Sequence, residues 1–581
     1  MKPQKTCLPT RVIDCQDPAE PRLVITANLE DVYVPYVALS YVWGKSDSHC
    51  TRVENYETYV EGIDHNIIPQ TIRDAITVTN GLEMRYLWVD AFCIIQDSNE
   101  DKVKELVKMG SIYRDAYFTI VASSSPEGGA GFLHTRVLPP HHRLPFYCSN
   151  GALGSVCVGR RGDTVSATVP GKEPVDRRAW CFQEWLLSPR KLLYTTDTLR
   201  YHCQTVARPV EDSIREIRTV HSSILDHAFL PLPLAALANP DLEHLTTEEL
   251  FTRQCMLWGT VVMNYTQRLL TRNTDRLLAF AAVAEQFNQI WQPQWHPGRY
   301  IAGLWERFLP RDLLWYRELS HHSWAADALR PRPSEYISPS WAWPSVDGQV
   351  ITRAGTAYHP KSGVADICEV LECEVALLDK RLKYGQVTAG HLKLRTILTP
   401  AWVIVEPTAG AQIEDEYGDR FYYRLFAPTE ELKQILNGSH MLGMNTAETV
   451  VRVGVVAPPT EGSGLETIIT VDRRIVQDGR LLAVGRGPFK QEQTLLRRVG
   501  QCDIYFDSPE RPDIEHSWLA VVNGGEAEGI IGEGLLVTST ADGKFRRVGY
   551  WSMNLEISAA AELDVVAWWR VDAEKTVFDL I

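Results

Sequence analysis

The sequence predicts an α/β N-terminal domain built on a parallel sheet, followed by a helical region and then a mostly β region. Three observations predict it. Apolar runs at Tyr36–Leu39, Tyr86–Val89 and Tyr117–Ala122 alternate with amphipathic stretches at 68–81 and 98–113, and strands joined by crossover helices lie parallel. The polar residues after the first two runs, Ser40–Gly44 and Asp90–Gln96, then leave from one sheet edge, where open α/β sheets bind ligands. From about residue 335, helical spacing gives way to alternating Val, Ile and Leu between Pro- and Gly-containing turns.

In chain order, residues 1 to about 30 read as a lead-in with one small strand at Leu23–Thr26. Tyr36–Gly44 is a buried strand ending in an aromatic turn, which Gly44 lets bend sharply. The helix over 68–81 starts at Pro69, stops at Gly81 and carries Ile72, Ala75, Ile76 and Thr79 on one face. Ser98-Asn-Glu-Asp101 resembles a capping box, and Val103, Leu106, Val107 and Tyr113 form the buried face of the helix it opens. Residues 123–176 read as a long excursion, mobile at Ser123–Gly131, with the His141-His142 pair in a solvated loop. A short helix at 180–187 and strands at Leu192–Tyr194 and Leu199–Cys203 close the first domain, 1–207. Helical spacing recurs at Leu250–Leu270 and Thr274–Phe287 within a second region, 208–334, and Tyr300–Tyr316 reads as packed. The third region, 335–581, carries strands at Cys368–Leu378, Leu392–Leu398, Trp402–Val405, Val450–Val456 and Leu535–Thr540, and its Trp-rich stretch 339–343 reads as packing.

Composition narrows the function classes. A chain of 581 residues exceeds one core. The formal charge, 59 − 73 = −14, disfavours nucleic acid and anionic membrane surfaces as partners. No apolar run reaches the length of a membrane span, and the N-terminus lacks a signal-peptide core, so a cytoplasmic protein is expected. The 12 cysteines contain no CxxC; they read as reduced thiols, and Cys368 and Cys373 have no companion pair at zinc spacing, so no metal is expected.

The candidate site follows from the strand ends. Asp90 ends a buried strand, so its carboxylate needs partners; it either accepts hydrogen bonds from the turn or from Arg178, or orients a base or binds a ribose hydroxyl. Cys93 is either a buried thiol or a nucleophile, with His202 the first-choice base and His49 and His65 the others. Glu184 either activates water at a glycosidic centre or pairs with Arg178 or Arg190. Ser40, Tyr41 and Trp43 lie at the first strand's outlet, where Trp43 is either core or a stacking platform. Gly128–Gly131 lacks phosphate-loop chemistry and reads as a flexible loop.

Four ordered motifs carry a resemblance: Leu39-Ser-Tyr-Val-Trp-Gly44, Leu87-Trp-Val-Asp-Ala-Phe-Cys-Ile-Ile-Gln96, Met109-Gly-Ser-Ile-Tyr-Arg-Asp-Ala116 and Arg178-Ala-Trp-Cys-Phe-Gln-Glu184. Over about residues 36–205 the chain resembles the heterokaryon incompatibility (HET) domain of filamentous fungi, whose name implies non-self recognition and programmed cell death. The resemblance implies a TIR-like sheet and, because some TIR domains cleave NAD, NAD as a substrate. It groups Ser40, Tyr41, Trp43, Asp90, Cys93, Gln96, Arg178, Gln183 and Glu184 in one pocket for a small-molecule ligand. Three functions compete: a cell-death effector that hydrolyses a nucleotide, a biosynthetic enzyme reusing the pocket with Cys93 or the Asp90/Glu184 pair, and a non-catalytic assembly module. No cofactor is called for, NAD entering only as a substrate, and a homo-oligomer stays open.

Overall fold

The computed structural model describes residues 6–44, 49–136, 141–147, 151–159, 173–196, 199–203, 247–292, 296–317, 330–352, 364–400, 402–405, 421–426, 450–454, 501–508, 517–526, 529–556 and 575–581. Residues 208–246 of the expected helical region lie outside them. Two compact units form. The first comprises residues 1–250, 268–294 and 380–383, and the second residues 251–267, 295–379 and 384–581.

The first unit is a mixed seven-stranded sheet with helices. Its strands are β1 (Arg11–Asp14), β2 (Arg22–Ile25), β3 (Tyr36–Ser40), β4 (Tyr86–Trp88), β5 (Phe118–Val121), β8 (Arg190–Tyr194) and β9 (Leu199–Cys203), in the order β2-β1-β4-β3-β5-β8-β9. A separate hairpin, β6 (His141–Tyr147) and β7 (Leu153–Gly159), completes the numbering. The inner four strands, β4-β3-β5-β8, are parallel. Antiparallel strands extend both sides, β1 against β4 and β2, and β9 against β8. The sheet is therefore mixed where a parallel one was expected. Residues of β3 and β4 are buried throughout, which is why these strands read as continuous apolar runs.

The chain leaves β3 toward β4, then crosses back over β3 to reach β5 and continues to β8. Connections thus depart in opposite directions from the neighbours β3 and β5, the topological switch at which open sheets bind ligands.

Helices fill the connections. They are α1 (Tyr56–Glu61), α2 (Gln70–Gly81), α3 (Asp90–Cys93), α4 (Asn99–Leu106), α5 (Met109–Asp115) and α6 (Ala179–Leu187); of the two later helices, α7 (Thr247–Thr266) belongs to the second unit from residue 251 on and α8 (Leu278–Trp291) to the first. In α2 the buried residues Ile72, Ala75, Ile76 and Thr79 recur at helical spacing. The expected single helix over 98–113 is two, because the chain turns at Val107–Lys108. Val107, expected in the core, is 49% exposed as a result, while Glu105 is fully buried and paired to Lys108 at 3.2 Å. Ser98 does cap α4, its Oγ accepting from Asp101 N at 3.3 Å.

Two other expectations change. His141 and His142 lie in strand β6, not in a loop. Ser123–Gly131, read as mobile, is pinned: Gly128 N donates to the Trp43 carbonyl at 3.2 Å, Thr71 N to the Gly128 carbonyl at 2.9 Å, and the Thr71 and Ser125 hydroxyls bond at 2.9 Å. A Cβ on Gly128 would meet the Trp43 carbonyl at 2.9 Å, so glycine permits this approach. The Gly128 carbonyl caps the start of α2, so that helix end offers no anion site.

The second unit is mostly β. Its longest strands, Ser517–Glu526, Gly529–Ser539 and Phe545–Glu556, form an antiparallel meander that belongs to a larger sheet including Gln501–Phe506 and Glu369–Leu377. Trp305, Trp315, Trp341, Trp343 and Trp551 are fully buried in it. Trp315 Nε1 donates to the Trp341 carbonyl and Trp343 Nε1 to the Gly303 carbonyl, each at 2.8 Å. Arg547 is buried among them, stacked on Trp315 at 3.5 Å. It pairs with Asp507 at 3.0 Å, and Arg332 pairs with the same carboxylate at 2.9 Å. Among the described residues no helix is long and apolar enough to cross a membrane.

Candidate functional site

Asp90 stands on a four-residue helix whose carbonyls are held from outside. The Asp90 carbonyl accepts from Ile94 N and Gln96 Nε2, both at 3.1 Å. The Ala91 carbonyl accepts from Thr51 N at 2.9 Å, and the Phe92 carbonyl from Thr51 Oγ1 at 2.6 Å. The Cys93 carbonyl accepts from Arg11 Nε at 2.7 Å. Arg11 Nη2 in turn pairs with Asp101 Oδ2 at 2.5 Å, which also accepts from Ile95 N at 2.8 Å. A helix this short leaves all its carbonyls unbonded unless others reach them, so Thr51, Gln96, Arg11 and Asp101 make it a fixed platform.

The Asp90 carboxylate is half-buried and bonded at both oxygens: Trp43 Nε1 donates to Oδ2 at 2.7 Å and Ala91 N to Oδ1 at 2.8 Å. Trp43 follows β3 and precedes Gly44, whose φ of +91° places it in the region glycine favours. Burial pushes the Asp90 carboxyl up to about 6, with the Trp43 bond and the Arg178 charge pulling the other way. Glu184, on α6 and 4% exposed, is pushed further, to about 8, by burial and by the Asp90 charge. The hydroxyl of Ser40, the thiol of Cys181 and the hydroxyl of Tyr113 face its carboxyl and restrain the rise. Ser40 Oγ is buried with no hydrogen bond of good geometry among the described residues. Two carboxyls sharing one apolar site cannot both ionise readily, so near neutral pH the deeper one, Glu184, keeps its proton. Such a pair titrates as a unit.

The structure thus brings together Ser40, Trp43, Asp90, Arg178 and Glu184. Tyr41 is buried beside both carboxyls, its carbonyl accepting from Cys181 Sγ at 3.5 Å. Gln96 braces the α3 carbonyls as described. Gln183 Nε2 is spent on Met109, 4.0 Å from its Sδ.

Cys93 is fully buried, and burial pushes its thiol up to about 12; its Sγ accepts from Val89 N at 3.5 Å. A nucleophilic cysteine needs a thiolate and access, and this environment supplies neither. The histidines do not assemble with it. His202 lies on β9 opposite Lys191, with β8, β5 and β3 between its strand and β4; at the usual spacing that is about 19 Å. His49 and His65 are exposed. The expected base for Cys93 is therefore absent from its surroundings, because strand order, which sequence does not reveal, separates them. Glu184 forms no ion pair with Arg178 or Arg190 among the described contacts; its neighbours are Asp90 and neutral groups.

Several contributors escaped the sequence reading. Cys181 lies three residues before Glu184 on α6, a helical spacing that could have signalled it. Tyr113, Thr51, Arg11 and Asp101 come from four separate segments and carry no local signal. Among the described residues no cluster of His, Cys, Asp and Glu is placed to hold a metal ion.

Compared with known families, residues 36–184 match the model described as Heterokaryon incompatibility protein (HET). The matched span runs from the first residue of β3 to Glu184 and so contains both carboxyls and Trp43. No curated protein and no solved structure matches.

Proposed function

We propose, for a chain whose residues 36–184 carry a HET domain, that this domain is an enzyme site acting on a small-molecule ligand, with Asp90 as its charged base and Glu184 as the protonated carboxyl that keeps it so. The reading places the site on cleavage of a glycosidic bond in a nucleotide such as NAD. One observation carries it: the Asp90 carboxyl, half-buried under the Trp43 N–H at the ligand-binding edge of the sheet, shares its site with the buried Glu184 carboxyl, and burial with mutual repulsion raises both, Glu184 the more. The order of the four parallel strands supports a TIR-like arrangement.

The chemistry suits the arrangement. Nicotinamide leaves as a neutral pyridine when its bond to the ribose carbon breaks, so its departure needs no proton donor. The cation forming on the ribose needs a nearby negative charge, and the attacking water needs a base. Asp90, half-buried and the more readily ionised of the two, supplies both. Water's oxygen bonds the ribose carbon and its proton passes to the carboxyl pair. Glu184 beneath holds a proton at rest and keeps Asp90 the charged member. Trp43 offers an aromatic face beside Asp90 for stacking.

The test is nicotinamide release from NAD by the full-length protein. Release by wild type, abolished in Asp90→Asn and reduced in Glu184→Gln, supports the reading. No release across micromolar to millimolar NAD removes it and favours a non-catalytic module.

A further inference from the structure

Arg178 is held rigidly by its backbone, and its charge reaches Asp90 without an ion pair between them. Its backbone is extended at the start of α6 and forms a parallel bridge with Leu269. Ala179 N donates to the Leu269 carbonyl at 3.0 Å, and Leu269 N to the Arg177 carbonyl at 2.6 Å. The Arg178 carbonyl accepts from Arg268 Nη1 at 3.3 Å, and the Arg268 guanidinium lies on the Phe182 ring at 4.9 Å. The residue is therefore fixed on both flanks.

The residue is half-buried with its guanidinium reaching the exposed side, and its charge acts on Asp90, yet the described contacts include no ion pair between them. Among those contacts its side chain makes one hydrogen bond, Nη1 to Thr271 Oγ1 at 3.3 Å, beyond the usual range. A guanidinium carries five N–H donors in a planar fork. An arginine meant to neutralise Asp90 would sit within ion-pair distance, and one meant to brace the fold would turn toward backbone carbonyls, as Arg268 Nη1 does toward those of Val175 and Arg178.

We propose that Arg178, with the Thr271 hydroxyl, is the anion-recognition element of the site, so that its ligand carries a phosphate group bound at Arg178 while the bond to be broken lies against Asp90. The planar fork matches phosphate oxygens two at a time. This rests on the Asp90–Glu184 reading for its place in a reaction, and it deepens that reading by naming phosphorylated small molecules as the ligand class. It also brings 268–272, outside the matched family span, into the site.

The experiment is calorimetric titration of the full-length protein with inorganic pyrophosphate, with adenosine as the uncharged control. Saturable pyrophosphate binding is expected in wild type, with affinity falling about tenfold or more in Arg178→Gln, the scale of a lost charged hydrogen bond. Arg178→Lys, which keeps the charge and loses the fork, is expected to fall between them. Asp90→Asn removes a nearby negative charge and is expected to bind pyrophosphate more tightly. An unchanged unfolding midpoint in Arg178→Lys confirms that the fold is intact. The inference is overturned when wild type does not bind pyrophosphate, or when Arg178→Gln binds it as tightly. It is separable from the catalytic reading: pyrophosphate binding that depends on Arg178 stands even where no nicotinamide is released.

Discussion

Trp43 Nε1 donates to Asp90 Oδ2 at 2.7 Å and joins the ends of two neighbouring strands, β3 and β4. A donor to a carboxylate favours its charged form. Trp43→Phe keeps the ring and removes the donor, so the Asp90 pKa rises from about 6. The indole N–H resonance of wild type shifts as Asp90 titrates, and its midpoint reports the carboxyl. A midpoint at an ordinary carboxylate value contradicts the rise that burial brings.

Cys93 is predicted inert. Brief native alkylation followed by peptide mapping should label Cys7, which is exposed, and leave Cys93 unmodified until the protein is denatured. Cys93→Ala should cost only about 1–2 kcal/mol in denaturant unfolding, the scale of a small core truncation. Rapid native labelling of Cys93 reopens its nucleophile role.

Asp312, buried in the second unit, makes stability depend on pH. Burial raises its carboxyl from 3.8 to about 7, with the Trp305 backbone N–H the opposing influence. Because the folded value lies above the unfolded one, folding takes up a proton. The stability this brings is present in full below about 4 and is lost as pH rises through about 7. Asp312→Asn should unfold at a higher denaturant concentration than wild type above pH 8 and show a flatter profile between pH 4 and 7. A wild-type profile without that decline contradicts the burial.

Arg547 spans the tryptophan core, bonded to Asp507 and to the carbonyls of Leu313 and Trp315. Arg547→Met keeps the stem against Trp315 and strands Asp507 with Arg332 alone. Leaving a buried charge wholly unpaired costs about 3–5 kcal/mol; Asp507 keeps Arg332, so the loss falls below that, and the second unit should unfold at lower denaturant. A change under about 1 kcal/mol would show the network to be dispensable.

The strands of the first unit were legible because buried parallel strands read as continuous apolar runs, and Tyr86–Trp88 could hardly be read otherwise. β1 was not: Arg11-Val-Ile-Asp14 is four residues long with a charge at each end, and only its pairing with β2 and β4 buries it. The Val107 break was hidden because the apolar spacing runs on through it. Asp90 and Glu184 were legible as candidates from the polar residues at strand and helix ends. Their proximity was not, since they stand 94 positions apart in the chain (184 − 90). The same blindness put His202 beside Cys93 and kept Thr271 away from Arg178. Local chemistry is written along the chain; the strand order that assembles it is not.

The central claim is that Glu184 holds a proton at neutral pH beside a largely ionised Asp90. The direct measurement is the infrared difference spectrum between wild type and Glu184→Gln, followed as pH is raised. The account predicts a protonated-carboxyl C=O band in wild type at neutral pH, absent from the variant and lost as pH passes about 8. No such band at neutral pH, with Glu184 already ionised, contradicts it.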